Sequence, residues 1–530
     1  MTFQPTPCRP GPRSRASSSP LGRAFAALAF VVGVLGSNAA AQSPIDQVNA
    51  PYLAIPEANR SDLILLPALA DMEPAPVGAQ APQQAMLLPA GSTNWSRAEA
   101  WATGETQVAV LAALDRITQE TDYRRAMVFA QPYGPGVPRP MIAAGLYTEL
   151  GDPPTLAAAH FGYMGPLDDM ACLVHVEATR RLAAGDPAGA IDVLTDWAFF
   201  ARQMADRALY KEVVFGYRQM LDALERIRDI AYQDMRGDRA LTLAQIQSAI
   251  ERLAEDKVLG LERLVLPRGE MTSAAQLTAR VFGRDGMLNA GAFSSAMAAA
   301  GASGRPLRLF SEAARWSGAA DAHNSQAQTV RTTRQVFDDW TARWNLDPFD
   351  ARHNTPSVFQ RDVDGQPAYA VIDAALDDMG QLIPMRQQLR AEAVGTRAAL
   401  GLVGYSYQTR QFPPTLAALR PRWVRELEAD PYNGDRRVDR RPPLAYFVPV
   451  RDTQARGPGR HEMNVVARDS NFVLRLGEDQ FVLYSVGPDQ ERGWAAFVSD
   501  DPDAVRGDYL IWPPVISLLR VDLEQQGLLN

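Results

Sequence analysis

The sequence predicts a mainly α protein, an irregular helical bundle or short solenoid, that closes with a C-terminal α+β module containing a small antiparallel sheet. Three observations carry this reading. Apolar residues recur at helical spacing through 167–258. After Phe412 the pattern changes to short runs rich in β-branched and aromatic residues. Proline and glycine clusters punctuate the joints between these stretches.

Residues 1–41 have the three parts of a cleavable secretory signal peptide. A polar stretch carries Arg9, Arg13, Arg15 and Arg23 without an acid, an apolar run occupies 24–36, and Ala39-Ala40-Ala41 gives the A-x-A pattern before Gln42. The apolar run is shorter than the ~20 residues a bilayer-spanning helix needs, so no transmembrane segment is expected after cleavage. The protein is expected to be exported, to the periplasm or beyond. Removing four arginines and no acid changes the balance from 53 basic against 61 acidic residues to 49 against 61, a net charge of −12. That balance argues against nucleic acid as a partner. Cys172 is the one cysteine beyond Cys8, so no intramolecular disulfide forms and stability rests on packing.

Residues 42–95 are rich in Pro, Ala and Gln, and the prolines at 74, 76, 82 and 89 predict an extended lead-in with one apolar segment, 63–69, docked on the body. A helical domain is expected over 96–390. Its first helix is placed at 96–121, and its clearest stripes are Ala190, Leu194, Trp197, Ala201 and Met204, then Val213, Tyr217, Met220, Leu224, Ile227 and Ala231. Thr242 followed by Gln245 is a capping-box pattern that opens another helix. The run RRLAAGDPAGAIDVL (180–194) is similar to the turn of a tetratricopeptide-type hairpin, but no 34-residue period repeats it. Residues 284–306 are small, with too little apolar bulk for a core helix throughout, and are expected to include a loop between two helical layers. Helix returns over 310–344 and 368–407, with one interruption at Pro384 that should kink or restart it.

Residues 391–530 form the last unit. The strands expected there are 444–450, 463–467, 471–476 and 480–486, with Gly477, Glu478 and Asp479 joining the last two as a hairpin. In order along the chain stand RAALGLVGYSYQTRQFPPTLAAL (397–419), RWVRELEADPYNG (422–434), FVLYSVGPD (481–489) and GDYLIW (507–512). This order resembles the globular domain of the major pseudopilin of type II secretion. The resemblance implies a helix running into a small sheet, and a calcium ion held by oxygen ligands in the loop after the tyrosine-serine strand. The residues here that match are Asp489, Asp501, Asp503 and Asp508. Two departures stand out: Gln490 replaces the glycine after the aspartate, and RGWAAFVS is inserted where that family has a short acidic turn. Taken by itself, the acidic run reads as a solvated loop. The family also begins with a long apolar helix that builds its filament, and a conventional signal stands in that place here. The whole chain is similar to a loosely defined group of large, uncharacterised exported bacterial proteins with a helical region before such a tail.

No H-E-x-x-H, P-loop or dinucleotide fingerprint occurs. Residues 404–408 begin like a nucleophile elbow but end in Gln408 at a helix end. His160, His175, His323, His353 and His461 have no ligand spacing. Cys172 and His175 share a helix face, which reads as a buried cysteine beside a core-edge histidine. The pairs Asp168-Asp169 and Asp377-Asp378 are neighbours that point apart, so capping or solvation is expected. Arg436, Arg437, Arg440 and Arg441 alternate with acids and read as a salt-bridged loop. No catalytic residue or resident cofactor is assigned. The expected function is that of an exported, non-enzymatic envelope scaffold that binds another envelope protein. Two alternatives stay open: a hydrolase whose site is assembled from distant residues, and a calcium-stabilised accessory of secretion.

Overall fold

Helices begin earlier than the proline content of 42–95 suggests. Ser43 caps α1 (Pro44–Leu53) by accepting from the Asp46 amide, and the Asp46 carboxylate returns the bond to the Ser43 amide. Pro44, and Pro82 in α3 (Pro82–Leu87), stand at the first helical position, where the missing N–H removes no hydrogen bond. Between them α2 (Asp62–Ala70) buries Leu65, Leu66 and Leu69. The expected extended lead-in is therefore three short helices whose length, not existence, the prolines limit. The computed structural model describes residues 43–302, 309–434, 441–452, 461–467, 470–477, 479–499 and 507–529. The expected signal peptide, Asp501 and Asp503 lie outside them, as do Arg436, Arg437 and Arg440.

The helix expected at 96–121 is two, α4 (Trp95–Ala102) and α5 (Glu105–Thr118), parted at Gly104. After α6 (Arg139–Ala143), the short strands β1 (Thr148–Glu149) and β2 (His160–Phe161) pair antiparallel. Then come the periodic helices: α7 (Met164–Ala183), α8 (Pro187–Met204), α9 (Tyr210–Arg236) and α10 (Leu243–Arg252). Gly185, at φ +79°, turns the chain between α7 and α8, and Asp186 caps α8 by accepting the Gly189 amide at 2.9 Å. The Thr242–Gln245 capping box opens α10 as its spacing predicts.

A further group of helices follows: α11 (Gly269–Val281), α12 (Ala290–Ala302), α13 (Leu309–Ala322), α14 (Gln326–Trp344), α15 (Val358–Asp362) and α16 (Ala370–Ala375). Within the small-residue stretch, a non-helical segment at 283–289 precedes α12. The chain returns to α9 and α10 through α17 (Leu382–Thr409), in which Pro384 is the third residue, so the interruption expected there is a helix restart. The boundary expected at 390/391 falls inside α17, and residues from Ser43 onward form one unit. One hydrophobic cluster runs from Val48 to Trp512.

The strand region forms two three-stranded sheets. One has the order β3 (Ala445–Phe447), β6 (Val482–Ser485), β8 (Tyr509–Trp512), all antiparallel. The other has β5 (Ser470–Leu476), β4 (His461–Ala467), β7 (Phe497–Ser499), with β4 and β7 parallel. The expected hairpin between 471–476 and 480–486 is absent: β5 pairs β4, and β6 pairs β3 and β8. The cause is burial, since all four residues of β6 are buried and need a strand on each side. Helix α17 lies close on β8 at Gly395, where a Cβ would come within 2.6 Å of Ile511 Cδ1. The last helix, α18 (Val515–Gln525), docks through a buried ion pair, with both guanidinium NH groups of Arg520 at 2.9 Å from Asp229 on α9.

Candidate functional site

One face of α17 lines a concavity of the described residues. Ile383, Gln387, Arg390, Val394 and Arg397 fall on a single stripe at steps of three and four. Two adjoining cavities, of about 390 and 250 Å³, open along it and share Pro348 and Gln387 in their walls. The stripe spans roughly 20 Å at 1.5 Å per residue, the length of about six residues of extended chain. Opposite walls come from the segment after α14, from 255–262, and from the strand region at 428–432 and 488–490. The cleft is thus the seam between the helical layers and the sheets, a favoured place for ligands.

The charges in this cleft are committed to holding its walls. Arg343 donates to the carbonyls of Thr355 (3.0 Å) and Pro356 (3.1 Å), and so fixes the segment that follows α14. Arg390 pairs with Glu262 at 2.6 Å, Arg397 with Glu428 at 2.5 Å and Arg441 with Asp347 at 2.5 Å. Asp430 is buried and accepts from the Ser485 hydroxyl (2.6 Å) and from the amides of Val486 (3.0 Å) and Tyr432 (2.9 Å). Burial still pushes its carboxyl above the usual range, against the pull of those three donors.

What remains available is neutral and polar. Asn354, Gln381 and Gln490 line the larger cavity and donate no side-chain hydrogen bond among the described residues. His353 Nε2 is buried without a partner. Burial, and then the neighbouring Arg343, lower the basicity of His353, so at neutral pH it is an uncharged imidazole. The aromatic rings are not open platforms. Tyr432 is buried, and Phe349 has the Arg441 guanidinium 5.2 Å from its ring centroid and packs against Gly434.

The loop that the pseudopilin resemblance singles out borders this cleft, but through Pro488 and Gln490, not through its carboxylates. Asp489 accepts from the amides of Glu491 (3.0 Å) and Gly507 (2.8 Å). Asp508 accepts from those of Gly493 (3.1 Å) and Ala495 (2.6 Å). All four oxygens therefore meet the positive ends of N–H dipoles. That suits a loop staple, and each carboxylate oxygen keeps a lone pair beyond the one it gives an amide. Among the described residues no group of three His, Cys, Asp or Glu is placed to hold a metal ion.

The other sequence candidates resolve into packing. Cys172 is buried and its thiol is pushed up to about 12, chiefly by desolvation, which keeps it protonated and unreactive. Ser406 donates to the Val403 carbonyl at 2.8 Å inside α17. Asp169 accepts the Ala75 amide at 3.1 Å. Asp378 accepts from the Gly380 amide at 2.9 Å and from Gln360 at 2.8 Å. Compared with known proteins, the chain matches no family model, no curated protein and no solved structure. Among the described residues no helix is long and apolar enough to cross a membrane.

Proposed function

We propose that this chain is an exported envelope protein, a helical scaffold that holds an extended peptide segment of another envelope protein in the cleft along α17. In this reading the pseudopilin-like tail serves as one wall of that cleft and not as a filament subunit. The observation that carries it is the set of uncommitted amides and the unpartnered His353 Nε2 in a seam whose charged groups are already paired. Side-chain amides offer donor and acceptor together, which is what a peptide backbone asks for. A sugar chain would call for exposed aromatic faces, and Phe349 and Tyr432 are covered. The roughly 20 Å stripe of α17 matches an extended segment.

The test is site-specific photo-crosslinking in the cell envelope. A benzophenone amino acid at Asn354 and, separately, at Gln490 is expected to capture the same polypeptide. Placed at the exposed Val473 on β5, it should capture none of it. Equal capture from Val473, or no protein adduct from either cleft position, would overturn the proposal.

A further inference from the structure

A second cavity, of about 120 Å³, shares no lining residue with the cleft. It lies where Leu209 and Lys211 at the start of α9, Glu270 in the first turn of α11, and Asp373, Leu376 and Asp377 around the end of α16 come together. Glu270 is the buried member, 7% exposed. Its Oε1 accepts the Tyr210 amide at 2.6 Å, and its Oε2 takes part in no hydrogen bond among the described residues. Lys211, exposed at the rim, forms no ion pair among the described residues. The second oxygen is thus free to meet a guest that enters the cavity.

We propose that this cavity binds the ammonium end of an aliphatic amine, with Glu270 giving up its proton as the ammonium docks. Three features point there. With Glu270 ionised, the carboxylates Glu270 and Asp377 exceed Lys211, the one cation among the described lining residues, so the site favours a positive guest. Leu156, Leu209 and Leu376 supply an apolar sleeve for methylene groups. A metal ion would need a further ligand, and no group of three is placed for one among the described residues.

The proton follows from the surroundings. Glu270 is faced by Tyr210, Lys211 and Glu212 from α9 and by Asp373 and Asp377 from the α16 side. Burial lifts its carboxyl to about 8; Asp377 and Glu212 lift it further, while the Tyr210 amide and Lys211 hold it down. The empty site is therefore mostly protonated at pH 7. When the ammonium arrives, the carboxyl O–H bond breaks, its proton passes to the buffer, and the carboxylate accepts an N–H from the guest. No other reactant is needed.

Isothermal titration of the full mature chain with n-butylamine, in two pH 7 buffers of different ionisation enthalpy, measures the proton directly. Release should approach one proton per amine bound and vanish about two pH units higher. Glu270→Gln should bind at least about tenfold more weakly and release none. Asp377→Asn should bind more weakly yet still release the proton. Heat that does not depend on the buffer, no binding at millimolar amine, or unchanged affinity in Glu270→Gln would overturn the proposal. Should Glu270→Gln fail to fold by circular dichroism, the buffer dependence of the wild type and the Asp377→Asn titration decide it.

Discussion

Glu212 and Glu270 are both buried carboxyls at the start of α9, one within the helix and one against it, yet they are held in opposite ways. Glu212 is fully enclosed and accepts from the Tyr133 hydroxyl (2.5 Å), the Tyr163 hydroxyl (2.5 Å) and Arg207 Nε (2.6 Å). Arg207 in turn donates to the Gln131 carbonyl at 2.8 Å and stacks over Tyr52 and Tyr133, at 4.2 and 4.5 Å from their ring centroids. That network ties 129–133 and the start of α7 to α9. Glu270 has one backbone amide and an open cavity. Burial alone therefore does not separate a structural carboxyl from a functional one; the donors already provided to it do.

The sharpest way to break this comparison is to make the same substitution at both positions. Glu212→Gln leaves Arg207 buried without its counter-charge, and the loss should be about 3–5 kcal/mol, read as a lower denaturant midpoint. Glu270→Gln should go the other way. Because the folded carboxyl is raised to about 8, the folded protein holds its proton through a range where the unfolded chain, near 4.3, has lost it. Stability from this group is thus fully present below about pH 4 and declines as pH rises toward 8. Glutamine removes the decline, so at pH 9 the variant should be more stable by about 1–3 kcal/mol. Destabilisation of similar size by both substitutions would erase the distinction.

The two sites also differ in how they are written in the sequence. The helical stripes of α8 and α9 and the Thr242 capping box are legible because each is local: apolar spacing and a cap lie within one turn or a few. The strand segments are legible by composition, but not their partners. Whether β5 joins β4 or β6 depends on which strand is buried on both sides, and no residue of β5 states that. The cleft is hidden for a like reason. Ile383, Gln387, Arg390, Val394 and Arg397 show ordinary helical spacing, and the walls that make them a site come from 255–262, 348–355 and 428–432. Gly269-Glu270 is visible as a helix end, while the burial that lifts Glu270 is supplied by α9 and the α16 side. Asp377 and Asp378 lie in the non-helical residues 376–378, where the helical spacing expected of them does not apply. Only the tertiary fold assigns one to a cap and the other to a cavity.

Asp508 tests whether the comparison is graded. It is 1% exposed and accepts two backbone amides, more donors than Glu270 and fewer than Glu212. Its carboxyl is raised to about 6, first by burial and then by Asp489, with the amides of Ala495 and Gly493 pulling it back. The raised value means that its stabilising contribution is complete below about pH 4 and falls as pH climbs toward 6. Asp508→Asn should flatten that slope and change the gap between variant and wild type by about 1 kcal/mol between pH 4 and pH 7. Denaturant midpoints of the two proteins across that range measure it. A flat gap would mean that two amides suffice to offset burial, and the line between a staple and a site would then fall between one donor and two.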